Sequence, residues 1–240
     1  MLSWQQQAAF TTTHSQPILI PPSSIDCQRR AWVEIDLTAL AFNVRQLKQF
    51  LAPQTQLMAV VKADAYGHGA ISVARVALEQ GASALAIATL AEGIELRQAG
   101  ITEPILILGA INTAEEIREI AHWQLEPTLG SPQQALLFVE TWHKSGKSKP
   151  VHLKIDTGMS RLGTKWSEAL DFIDLVRQAP QLKIASIYSH LATADDPDPT
   201  IMELQHQRFR QVIEELKGKG IKVPALHLAN SAATLRDRSL

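Results

Sequence analysis

Apolar residues recur along this chain in two alternating rhythms. Short continuous runs read as buried strands over residues 57–62 (LMAVVK), 84–88 (ALAIA), 104–109 (PILILG), 124–129 (QLEPTL), 151–156 (VHLKID), 182–190 (LKIASIYSH) and 225–229 (ALHLA). Between them the apolar positions fall at helical spacing. Leu37, Leu40, Val44 and Leu47 predict a helix over 37–50, and similar patterns predict helices over 70–80, 91–98, 114–121, 132–143, 167–177 and 201–217. Gly81 and Gly100 stand where two of these helices should stop. RAWVEID, over 30–36, predicts one more short strand ahead of the first helix.

Seven strand-helix steps with short loops describe an α/β fold. Continuous apolar strands need cover on both faces, so the sheet should be parallel and shielded by helices. Even steps of this kind close naturally into a TIM-type (β/α)8 barrel. An open doubly wound sheet is the rival, but it usually carries a glycine-rich phosphate loop after its first strand. AYGHG holds two glycines and matches neither GxGxxG nor GxxxxGK[ST]. Seven strands predict an incomplete barrel that lacks its eighth, with two parallel edges left open.

Composition narrows the class. The 240 residues suffice for one large domain or two small ones, and hydrophobic residues make up 45%. A formal net charge of -1 offers no field for nucleic acid or an anionic membrane surface. The single cysteine, Cys27, cannot form an intrachain disulfide and fits a reducing, cytoplasmic setting. No apolar run is long enough to span a bilayer. Residues 1–29 are polar, have neither a secretory pattern nor an arginine before Arg29, and read as a flexible extension. The folded domain is expected over 30–240.

The strand ends carry the chemistry, because barrel sites form there. The first strand ends in Lys62, with Tyr66 one short loop away. Lys62 is either a rim lysine that snorkels to water or an amine for covalent work with a carbonyl cofactor such as pyridoxal phosphate. The fifth strand places His152, Lys154 and Asp156 on one face, and two of them could form an ion pair. Arg161 follows a glycine turn and offers a planar fork to an oxygen anion. His190 ends the sixth strand, either stacked on a flat ligand or bound to a backbone carbonyl. His227, Asn230 and Ser231 close the last strand, Asn230 and Ser231 as an N-cap, an anion cradle or both. The strand-end histidines do not read as a zinc site, since no cysteine joins them and lysine and arginine share the rim. The acidic turn DDPDP lacks the spaced glycines of a calcium loop.

In order along the chain, AVVKADAYGHG, HLKIDTGMSRLG, YSHLATAD and HLANSAATL closely resemble the amino-terminal part of the alanine racemase family of pyridoxal 5'-phosphate enzymes. The resemblance runs from about residue 31 to residue 240. It implies that Lys62 is the Schiff-base lysine and one of two bases, and that Tyr66 and Ser231 bind the phosphate. It implies that Arg161 bonds the ring hydroxyl and meets substrate, that His190 lies beside the pyridine ring, and that Asn230 belongs to the cofactor-proximal motif. Lys154 matches a lysine often carbamylated in the family. The implied reaction interconverts L-alanine and D-alanine for peptidoglycan precursors, in a homodimer. The family's second base is a tyrosine of the other subunit's carboxyl-terminal domain. That tyrosine, an arginine facing the ring nitrogen and the eighth strand are expected beyond Leu240. The chain therefore reads as a fragment, a split gene product or a part expressed on its own, with weak activity or none alone. Alternatives are a non-catalytic single-domain pyridoxal phosphate protein, an assembly partner that completes its barrel with another chain, and a racemase of another amino acid such as serine.

Overall fold

A computed structural model describes residues 31–143 and 148–237. Two compact units divide the chain, Met1–Ile35 and Asp36–Leu240. The extension over 1–29 and Cys27 lie outside the described residues. In the first unit, Trp32 Nε1 donates to Glu34 Oε1 at 2.7 Å, and residues 31–35 form no strand. The strand expected over 30–36 is thus not formed in its described part. Its last residue serves the next element instead: Asp36 Oδ1 accepts the N–H groups of Thr38 and Ala39 and caps the first helix.

The second unit runs α1 (Leu37–Phe50), β1 (Met58–Val60), α2 (Lys62–Gly67), α3 (Ala70–Glu79), β2 (Ala84–Ile87), α4 (Leu90–Gln98), β3 (Ile105–Ile107), α5 (Ala114–His122), β4 (Glu126–Leu129), α6 (Pro132–Trp142), β5 (Lys149–Asp156), β6 (Thr164–Lys165), α7 (Ala169–Arg177), β7 (Leu182–Tyr188), α8 (Thr200–Gly218), β8 (Leu226–His227) and α9 (Ser231–Arg236). The strands pair in parallel in the order β1-β2-β3-β4-β5-β7-β8, and the two-residue β6 pairs the end of β5. This is a curled, open parallel sheet, an incomplete barrel of the expected type. Among the described residues β1 and β8 each pair on one side only, and Val60 and Leu226 are exposed there. The edge position keeps β8 to two residues, where 225–229 was expected.

Alternation along β5 sorts the two faces. Val151, Leu153 and Ile155 are fully buried toward the helices, while His152 and Lys154 are buried on the inner face. The apolar core joins that outer face to α4, α5, α6, α7 and α8 through Leu96, Ile117, Phe138, Phe172 and Val212. Gly81 and Gly100 take φ of 107° and 86° just past α3 and α4, the left-handed turn that ends a helix most cheaply with glycine.

The two ends of the sheet do different work. At the amino-terminal end, the Arg97 guanidinium donates to the carbonyls of Ile101, Glu103, Trp123 and Gln124. Those bonds gather the loops that enter β3 and β4, a structural role expected of that face. The carboxyl end collects the lysines, histidines and arginine described next.

Candidate active site

Lys62 follows the buried Val61 and opens α2, which is not an ordinary helix. Ala63, Asp64, Ala65 and Tyr66 all have φ between 51° and 59° and ψ between 36° and 52°. Four consecutive non-glycine residues therefore form a left-handed turn, at about 1–2 kcal/mol each. Such strain persists only where surrounding bonds over-determine it. Here Asp64 Oδ1 accepts the Ala70 N–H at 2.6 Å, His68 Nδ1 meets the Ala65 carbonyl at 2.9 Å, and Glu92 Oε1 accepts the Ala63 N–H at 2.9 Å. The turn brings Lys62 Nζ to 5.9 Å from the Tyr66 ring centroid, with Tyr66 itself exposed.

Lys154 lies deeper, only 7% exposed, with its Nζ 4.5 Å from the Tyr188 ring centroid. Burial lowers its pKa to about 8, and the Arg161 charge adds to the effect against an opposing pull from Asp156. Among the described residues no ion pair joins His152, Lys154 and Asp156; His152 Nε2 instead reaches across to Glu126 Oε2 on β4 at 2.7 Å. Asp156 instead shapes the loop that carries Arg161, its Oδ1 accepting from the Gly158 and Ser160 N–H groups. Gly163 closes that loop at φ 113°, where a Cβ would sit 2.9 Å from the Asp156 N and the Lys154 carbonyl oxygen.

His190 is half-buried past the end of β7. Burial first, and then the charges of Lys154, Arg161 and Lys62, hold its imidazole below the ordinary histidine range. One side chain thus feels three of the predicted cationic residues, which come from the start of α2, from β5 and from the loop after β5. Sequence separations of tens of residues collapse into one electropositive cluster.

Asn230 caps α9, its Oδ1 accepting the Ala233 N–H at 3.0 Å and its Nδ2 donating to the Leu191 carbonyl. Ser231 is exposed at the start of that helix. Arg236 donates to the carbonyls of Ala194, Asp196 and Pro197, so α9 is tied to the acidic turn after His190. A cleft of about 150 Å³ opens beside this rim, between Leu108, Thr128, Gly130 and Gly163.

Several residues of the site escaped the sequence reading. Beneath Lys154, Ser186 Oγ lies 2.7 Å from His152 Nδ1 and 2.9 Å from His227 Nε2. Ser186 Oγ therefore bridges the two rings, with Glu126 at the other nitrogen of His152. Burial above all, with His152 and Lys154 adding to it, takes the His227 pKa to about 3. His227 stacks on Tyr188 at 4.5 Å with 6° between the planes, and the Tyr188 hydroxyl pairs Thr128 at 2.7 Å. Burial pushes that phenol up to about 12. Two-residue alternation in 126–128 and 186–188 held the signal, but only pairing of β4, β5 and β7 brings the rows together. Gln205 of α8, 1% exposed, donates to the His190 carbonyl and to Thr157 Oγ1 and accepts from the Ala192 N–H. It joins the loop after β5 to the loop after β7.

Among the described residues no helix is long and apolar enough to cross a membrane, and no group of three or more metal-ligating side chains occurs.

Known proteins are similar to this chain in sequence and fold. Residues 35–240 match the family described as alanine racemase, N-terminal domain. Alanine racemases of Nostoc sp. and Synechocystis sp. are 64% and 61% identical, each over 88% of this chain and over 55% and 57% of their own lengths. The chain therefore spans about half the length of these relatives. The crystal structure of the Bacillus anthracis alanine racemase with bound L-Ala-P has a TM-score of 0.79 at 37% identity, covering 86% of this chain and 53% of that one. The Clostridium difficile alanine racemase has a TM-score of 0.81 at 33% identity, covering 86% and 54%. On its strand order, its strand-end residues and these similarities, the chain belongs to the alanine racemase N-terminal domain family.

Proposed function

We propose that this chain is the cofactor-binding barrel of a pyridoxal 5'-phosphate-dependent alanine racemase that interconverts L-alanine and D-alanine. The observation that carries the reading is the left-handed turn that follows Lys62 and holds Tyr66 near its amine, with Lys62 joining Lys154 and Arg161 among the charges that act on His190. A cluster of amines and a guanidinium suits an aromatic ligand with a phosphate and a phenolic oxygen, so the donor set fits the group.

The cofactor supplies a carbonyl carbon for covalent attachment and a sink for the electron pair left when a proton leaves the substrate α-carbon. Lys62 Nζ would be the attachment point, and as an amine it would carry a proton to or from the substrate α-carbon on one face. Inversion needs a second base on the opposite face, and the resemblance gives that role to a tyrosine of a partner subunit. The hydroxyls of Tyr66 and Ser231 would bind the phosphate, and Asn230 places Ser231 by capping α9. His190 would support the ring, and Arg161 would bind the ring oxygen and the substrate carboxylate. Lys154 keeps a neutral fraction near neutrality, because its pKa is about 8. Its lone pair can add to carbon dioxide with loss of one proton from nitrogen, and the resulting carbamate would pair with Arg161.

Borohydride reduction after incubation with pyridoxal phosphate, followed by peptide mass mapping, tests the assignment. The label should fall on Lys62 and vanish in Lys62→Ala. A label elsewhere, or none on folded protein, refutes it. Formation of D-alanine from L-alanine by a chain extended to include the second base, lost in the same variant, tests the reaction.

A further inference from the structure

Glu92 lies on α4, beyond β2 and 30 residues along the chain from Lys62, yet it touches the residue that follows Lys62. Its Oε1 accepts the Ala63 N–H at 2.9 Å, and its Oε2 accepts the Ala88 N–H at 2.7 Å and the Thr89 N–H at 3.1 Å. One carboxylate thus joins the end of β2 to the start of the left-handed turn. Glu92 is itself held in place, because it occupies the third position of α4 in a reciprocal capping box with Thr89. A capping box needs only the bonds between Glu92 and Thr89. The bond to Ala63 lies outside that motif, and it reaches 29 residues back along the chain.

That bond falls where the turn needs it. The first N–H groups of a helical turn have no acceptor inside the turn. The Val61 carbonyl takes the Ala65 N–H, and Glu92 takes the Ala63 N–H. Ala63 to Tyr66 contain no glycine, so each pays the left-handed penalty without conformational relief. Loss of the anchor at Ala63 favours return of the backbone to right-handed φ. The direction of the chain leaving Lys62 would then change, and with it the approach of Tyr66 to the Lys62 amine.

Building on the reading of Lys62 as the attachment lysine, we propose that Glu92 is a positioning residue that clamps the left-handed turn and so aims Lys62 and Tyr66 into the site. Glu92 itself exchanges no proton with substrate.

The test compares the full chain with Glu92→Ala, Glu92→Gln and Thr89→Ala. Hydrogen exchange is followed at residues 63–66, with β3 and β5 amides as internal reference, and borohydride labelling of Lys62 is timed in parallel. In Glu92→Ala the amides of 63–66 should exchange at least ~10-fold faster while the reference strands hold, and the labelling rate should fall by a similar factor. Glu92→Gln keeps one amide oxygen as acceptor and should recover part of both. Thr89→Ala removes the helix cap but not the clamp, so it should leave both near wild type. Should Glu92→Ala fail to fold, Glu92→Gln against Thr89→Ala carries the same comparison. Wild-type protection at 63–66 in folded Glu92 variants overturns the proposal, as does an equal loss in Thr89→Ala. A wild type that takes no label at Lys62 refutes the cofactor reading instead, and the exchange data then judge the clamp alone.

Discussion

Replacing Lys154 with methionine removes a buried amine and keeps an unbranched side chain of similar length. Lys154 sits against the Tyr188 ring with Asp156, Arg161 and His190 near it, and its pKa falls from 10.5 to about 8. At about 1.4 kcal/mol per pKa unit, holding the proton at neutral pH costs the folded state roughly 3 kcal/mol. The sign follows from proton counting. Between about pH 8 and 10.5 the unfolded chain keeps the lysine proton while the folded chain has released it, so stability rises with pH across that window. Below pH 8 both states hold the proton, and the penalty is present in full. Tyr188, raised to about 12, acts in the opposite direction above pH 10, so the clean interval is pH 8 to 10. Urea unfolding of both proteins from pH 7 to 10 measures the effect. The stability of wild type relative to Lys154→Met should climb by about 2–3 kcal/mol across the interval. Parallel curves in carbon dioxide-free buffer would refute the assigned burial penalty. Added bicarbonate should flatten the wild-type curve, because a carbamate no longer titrates as an amine.

Two further outcomes follow from the same rim. His227 has a pKa of about 3 instead of 6.5, so the unfolded chain binds the extra proton between those values and stability falls as pH drops through that window. His227→Gln keeps a partner for Ser186 and should flatten this acid limb in thermal melts at pH 4 to 7, whereas an unchanged limb would assign it to other groups. Gly163→Ala should lose about 1–3 kcal/mol, since φ is 113° and the new Cβ presses on the backbone at Lys154 and Asp156. Chemical denaturation reads the loss, and a neutral result would mean that the loop carrying Arg161 relaxes freely.

The helices and strands were legible because period and punctuation were local. Leu37, Leu40, Val44 and Leu47 delimit α1 by their spacing, and Gly81 and Gly100 end α3 and α4 by the φ they adopt. RAWVEID was misread because a short β-prone run cannot show whether a strand partner exists, and Asp36 had a better use as a helix cap. Lys62, Tyr66, Lys154, Arg161, His190, Asn230 and Ser231 could be picked out by their places at strand ends. The left-handed path through Ala63–Tyr66 could not, since none of those residues announces a positive φ. Glu92 and Gln205 look like ordinary helix residues until distant backbone groups reach them.

By itself, then, the order of residues determined the strand-helix alternation, the parallel sheet and which polar side chains would gather at one end. Those features depend on contacts a few residues apart and on burial that any parallel sheet provides. Tertiary structure alone decided the register that sets His152 beside Ser186 and Ser186 beside His227, including the irregularity between Val151 and His152. It also decided the pKa values of Lys154 and His227, because desolvation and neighbouring charge exist only once β4, β5, β7 and β8 lie side by side.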